Sequence, residues 1–202
     1  MTSELSSQGW RSLRIFFEDL VWRHFYQDLH LEEPRVAQYV SVLLAEFARM
    51  ENVYKIRDGL GRQLEDVGEM LVESNPLLKA GSFDRERAVR KHVGDYTLFM
   101  SGLFPESVAK NSRRKTLRLD AFVDFMQAGK ESYSIVSSFD QFEYRDEAPL
   151  FRKLAENFES CVFGLNLVKQ DIEEFQHEYY RQLRATLEQG GTERGRPESS
   201  YS

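Results

Sequence analysis

One stretch constrains this chain more than any other: Val93-Gly94-Asp95-Tyr96-Thr97-Leu98-Phe99-Met100-Ser101-Gly102-Leu103-Phe104-Pro105. It is nearly free of charge. Wound as a helix, it places Val93, Tyr96, Met100 and Leu103 on one side and Leu98 and Phe99 on others. A helix that is apolar all round is buried all round. Gly94, Thr97 and Ser101 form a narrow stripe of small residues along which a neighbouring helix can approach closely. The expectation is a central helix over residues 83–103 with the other helices packed around it.

The flanking segments carry helical periodicity. Trp10, Leu13, Phe16, Phe17, Leu20 and His24 share one face of a first helix from Gly9 to about Leu29. Pro34 suits the first turn of a second, whose apolar positions Val36, Tyr39, Val40, Leu43, Phe47, Met50 and Tyr54 carry it to Arg57. Leu64, Val67 and Leu71 support a weaker helix from Leu60 to Ser74. Phe122, Met126, Gly129, Tyr133 and Val136 define an amphipathic helix from Leu119 to Phe139, with glycine where packing is tightest. Pro149 opens a last helical region that breaks near Glu159-Ser160. Beyond it Cys161, Leu165, Val168, Ile172, Phe175 and Tyr179 repeat as a bundle seam.

The predicted fold is all-α: an irregular bundle of six or seven helices. Residues 1–8 are expected to fray, 9–189 to form one helical domain, and 190–202, too polar to pack, to form a disordered tail. A chain of 202 residues buries about 70% of its unfolded surface and needs no covalent staple. Its single cysteine, Cys161, excludes an internal disulfide. No apolar run approaches a membrane span, and no signal-peptide pattern opens the sequence, so a soluble cytoplasmic protein is expected.

Chemistry-bearing motifs are scarce. Glu174-Phe-Gln-His177 has the Glu-x-x-His spacing of di-iron bundles, but such centres need two copies and the other histidines lack a glutamate three residues before them. Gly59 and Gly61 make only a Gly-x-Gly pair, not a phosphate loop. His24 lies on an apolar face, where a hydrogen-bonded histidine is the ordinary outcome. No metal or cofactor is predicted, and no catalytic residue stands out. Lys110, Arg113, Arg114, Lys115 and Arg118 form a basic stretch without acids, read as a loop able to meet an anion or a partner. It has no aromatic residue for stacking a base, and the net charge is −6, so nucleic acid is not the expected partner.

Asp95 is the most informative ionisable residue, since a carboxylate on an enclosed helix must be paired, hydrogen-bonded or protonated. The structural expectation is a tie between two helices through a Tyr, Arg or backbone donor. The functional one is a ligand site between the central helix and the helix of Tyr133, lined by His92, Asp95, Tyr96, Ser101 and Tyr133.

The segment Val93-Gly-Asp-Tyr96, Leu98-Phe99, Ser101-Gly-Leu-Phe-Pro105, with the later Gly129-Lys-Glu-Ser-Tyr133, resembles one found in uncharacterised helical bacterial proteins. That resemblance covers the central half of the chain. It implies a bacterial source and no activity. Three functional classes therefore stay open: an interaction or regulatory protein first, a binder of a small apolar or amphipathic ligand inside the bundle second, and an enzyme with a motif-free site third. Another protein, or a second copy docking on Tyr179, Leu183 and Leu187 of the C-terminal helix, is the expected partner.

Overall fold

The computed structural model describes residues 2–64, 66–75, 81–111 and 118–174. Among them are nine α-helices: α1 Thr2–Trp22, α2 Pro34–Phe47, α3 Met50–Val53, α4 Val67–Ser74, α5 Phe83–Leu103, α6 Pro105–Asn111, α7 Arg118–Ser138, α8 Ala148–Glu156 and α9 Phe158–Glu174. A π-turn, Arg23–Asp28, continues α1, and a 3₁₀ turn, Phe142–Tyr144, precedes α8. Among the described residues the one β feature is an isolated bridge between Arg57 and Gln63. The fold is an all-α bundle.

α5 is its axis, in contact with α7, α9, α4 and α2. Ser82 caps its start by accepting a hydrogen bond from the Arg85 amide, and Asp84 and Glu86 lie at the positive end of its dipole. From His92 to Leu103 every residue of α5 is buried. The main core gathers Phe25, Phe47, Phe99, Phe104, Tyr133, Phe151 and Phe158 around it. A smaller cluster of Ile56, Leu64, Met70, Val89 and Val93 seals α4 against its first half.

Three glycines let the helices close on α5. A Cβ added at Gly94 would stand 2.5 Å from the Tyr133 ring, and one at Gly102 would stand 2.5 Å from Leu165 Cβ. At Gly129 it would meet Thr97 Oγ1 at 2.0 Å and Phe158 Cζ at 2.7 Å. Thr97 cannot easily turn away, because its hydroxyl donates to the Val93 carbonyl at 2.7 Å. Gly129→Ala gains up to about 1 kcal/mol of helix propensity. Overpacking of this kind costs about 1–3 kcal/mol. The clash is with held atoms, so a net loss of stability is expected in urea unfolding; an unchanged or raised midpoint would mean that room exists beside Gly129.

Several boundaries differ from the sequence reading. α1 is helical from Thr2 rather than Gly9. α2 ends at Phe47, ten residues before Arg57. There the Asn52 side chain donates to the Glu46 carbonyl at 2.8 Å, offering the backbone an alternative to the next helical bond. Residues 57–63, assigned in part to a helix from Leu60, form a tight turn instead. Asp58 Oδ1 accepts from the amides of Leu60 and Arg62, both at 2.9 Å, and Gly61 takes a φ of +83°. Ser107 to Asn111 are helical within α6, which Pro105 opens, where the basic stretch suggested a loop. The seam positions Phe175, Tyr179, Leu183 and Leu187, the Glu174-x-x-His177 histidine and the tail lie outside the described residues.

Candidate functional site

Asp95 collects three donors from three places in the chain. Its Oδ1 accepts from the Tyr39 hydroxyl of α2 at 2.6 Å and from the Tyr133 hydroxyl of α7 at 2.9 Å. Its Oδ2 pairs with Lys91 Nζ, one turn earlier on α5, at 3.0 Å. Tyr133 can reach it because Gly94, the preceding residue, leaves space for the ring. The Lys91 ammonium also sits 5.1 Å above the Tyr39 ring.

The charges in this cluster are firmly assigned. Burial raises the pKa of Asp95, but the Lys91 charge and the hydrogen bonds from Tyr39, Lys91 and Tyr133 outweigh it and hold the carboxyl below its usual range. Burial, reinforced by Asp95, pushes both tyrosines well above theirs. Near neutral pH the cluster therefore holds an ionised carboxylate and two protonated phenols. The carboxylate is satisfied on both oxygens. It is arranged to hold three helical segments in place rather than to take up a proton.

His92 lies one turn before Tyr96 and is fully buried. Its ring is 5.8 Å from Phe47 and 6.2 Å from Tyr96. Burial, then the Lys55 charge, lowers its pKa to about 4 against the pull of Asp95 and the Val53 backbone. It is a neutral imidazole in an aromatic surround. Tyr96 packs edge-on to Phe125, with ring centres 6.1 Å apart. Ser101 turns its hydroxyl to the carbonyl of Thr97 on its own helix.

Of the five residues predicted to line a site, Asp95 and Tyr133 are bonded directly, His92 and Tyr96 meet ring to ring, and Ser101 stays with its own backbone. Lys110 falls on α6 and Arg118 opens α7; Arg113, Arg114 and Lys115 lie outside the described residues. Tyr39 and Lys91 were absent from the sequence-derived set. Lys91 was readable, since positions four apart on a helix are neighbours. Nothing in the sequence joins residue 39 to residue 95.

No family model, curated protein or solved structure matches this chain. Among the described residues no group of three or more His, Cys, Asp or Glu side chains is placed to hold a metal ion. No described helix is long and apolar enough to cross a membrane.

A second set of residues stands out at the end of the bundle where α5 begins. Phe142 is 90% exposed, Phe83 74% and Leu60 95%. The Tyr144 hydroxyl donates to Asp84 at 2.9 Å, which brings the segment of Phe142 beside that of Phe83. Arg85 donates to the Arg57 carbonyl at 3.0 Å, fixing the turn that carries Leu60 nearby. Arg87 braces the same end: it pairs with Glu147 at 2.6 Å and lies 3.9 Å above the Tyr144 ring. Phe142 has a φ of +52°, a left-handed conformation that is an outlier for a bulky side chain.

Proposed function

We propose that this chain is a non-enzymatic interaction protein and that it docks a partner protein on the end face formed by Phe83, Phe142 and Leu60. The observation that carries this is Phe142. Its ring is 90% exposed, and its backbone is held in a conformation that costs roughly 1–2 kcal/mol for an L-residue. Strain of this sort persists where the surroundings over-determine it, and it concentrates at functional sites. A large aromatic left almost wholly exposed has apolar surface to bury, and aromatic side chains are common anchors of protein interfaces. The charges around the face are mixed, with Arg87 pairing Glu147 and Arg62 pairing Asp58, so the fitting partner is a protein that presents an apolar patch. A ligand held between α5 and α7 has less support, because side chains already fill the space at Gly94 and Gly129.

The proposal separates binding from stability. Phe142→Gly removes the ring and relieves the backbone. The expected midpoint of urea unfolding is unchanged or raised, by up to about 1 kcal/mol, since the flexibility glycine adds to the unfolded chain offsets part of the relief. Partners captured on the wild-type protein are to be purified and titrated against wild type and a Phe83→Ser/Phe142→Gly double variant. A loss of affinity of about tenfold or more is expected from removing two anchors. Equal binding by both proteins, or no saturable partner at all, would remove the reading.

A further inference from the structure

The π-turn that ends α1 carries a cluster independent of the end face. His24 is nine-tenths buried, and both its ring nitrogens face carboxylates. Nδ1 lies 2.6 Å from Asp28 Oδ2 on the same turn, and Nε2 lies 3.1 Å from Asp171 Oδ2 on α9. Arg23 also pairs with that Asp171 oxygen, at 3.0 Å. A neutral imidazole has one N–H and one lone pair, and an ionised carboxylate has no proton to offer. With two carboxylates facing it, a neutral ring would set its lone pair against a carboxylate oxygen. Both contacts can be hydrogen bonds at the same time only when the ring carries two N–H groups. Arg23 stabilises the negative charge on Asp171, and Asp28 is half exposed to water, so of the three groups the ring is the one suited to donate.

We infer that His24 is a proton-operated latch that fastens the end of α9 to the π-turn. The imidazolium donates to Asp28 and Asp171 together and joins two elements 147 residues apart in sequence. Above Asp171, α9 is anchored apolarly: a Cβ on Gly164 would stand 2.5 Å from the Phe25 ring of the π-turn, and Val168 is fully buried. The latch acts at Asp171, two turns beyond Gly164 and less than one beyond Val168, close to Glu174 where the described part of α9 ends. When the pH rises, the Nε2–H bond breaks and its proton passes to water; that nitrogen's electron pair then faces Asp171. The shorter Nδ1–H bond to Asp28 is kept. Arg23 remains on Asp171, Ile172 stays in the core and Lys169 keeps its pairing with Glu106, so the last turn opens more often without the helix leaving its place. Single π-turns inside α-helices are frequent at functional sites, and here the turn brings His24, Asp28 and Phe25 to bear on one helix.

The groups facing His24 are Asp28 and Arg23 on its own turn and Asp171 on α9, which fixes the test. Nitrogen-15 NMR of the ring, assigned by comparison with His24→Gln, reports its protonation, and amide exchange over residues 169–174 reports the latch. In the wild type, protection factors there, corrected for the base catalysis that speeds all amide exchange as pH rises, should fall about tenfold as the ring loses its proton, the amount expected for one charged hydrogen bond. His24→Gln and Asp171→Asn should each abolish that pH-linked step. If either variant fails to fold, the wild-type pair of measurements decides alone. Protection factors that do not change through the ring's titration, or a ring that stays neutral wherever 169–174 is protected, would overturn the latch.

Discussion

Asp95→Ala should lower the unfolding free energy by about 3–5 kcal/mol, the range seen when one partner of a buried charged pair is removed. The substitution leaves two phenol hydroxyls and one ammonium without the acceptor they share. Lys91 keeps part of its hydration, its side chain being 30% exposed, so most of the loss falls on the tyrosines. Tyr133 in particular is fully buried and has no water to turn to. Asp95→Asn keeps a carbonyl oxygen for the tyrosines but turns an amide toward Lys91, and should cost less than alanine. Chemical unfolding monitored by circular dichroism decides; an alanine variant within about 1 kcal/mol of wild type would show that Asp95 does not hold the helices together.

Acid should destabilise the protein before any carboxylate of the Asp95 cluster is protonated. His92 has its pKa lowered from 6.5 to about 4 by burial, so the unfolded chain takes up the proton first. Its contribution is complete above about pH 6.5 and is lost as the pH falls toward about 4. The size follows from 1.36 kcal/mol per pH unit and amounts to about 3 kcal/mol between pH 7.5 and pH 4. Asp95 acts later and with the same sign. Its folded pKa is depressed, so its stabilisation is present above the unfolded value of 3.8 and is lost below it. The useful quantity is the difference between wild type and His92→Phe, which isolates this one group. That variant keeps an aromatic ring beside Phe47 and removes the proton acceptor. Its urea midpoint should vary less between pH 7.5 and pH 4.5 than that of the wild type. Parallel pH profiles for the two proteins would show that His92 is not held neutral.

How much of this was legible in the sequence differs from element to element. The burial of α5 was readable because apolar residues surround it and glycine, threonine and serine line one side. The role of Asp95 as a tie between helices was readable too, because an enclosed carboxylate needs donors. Which donors was not: Tyr39 looks like any apolar-face aromatic, and only the folded chain brings it 2.6 Å from a residue 56 positions away. The early end of α2 was hidden because Met50 and Tyr54 continue the helical period past a break made by side-chain bonds to the backbone. Phe142 carried no signal at all. Sequence rules assign left-handed backbone to glycine and asparagine, and nothing marks a phenylalanine for it. His24 was visible as a histidine on an apolar face, but the carboxylate of Asp171 reaches it only through the packing of α9.

Tyr133 joins α7 to α5 twice over within two consecutive residues: its ring occupies the space above Gly94, and its hydroxyl reaches Asp95. Sliding one helix past the other by a turn, about 5.4 Å, would drive the ring into a side chain and strand the hydroxyl in the same movement. Gly129 adds a second close fit, against Thr97 and Phe158. The alignment of α5 and α7 is thus set by shape and by polarity together, and the pair serves as the keel on which the other helices are laid.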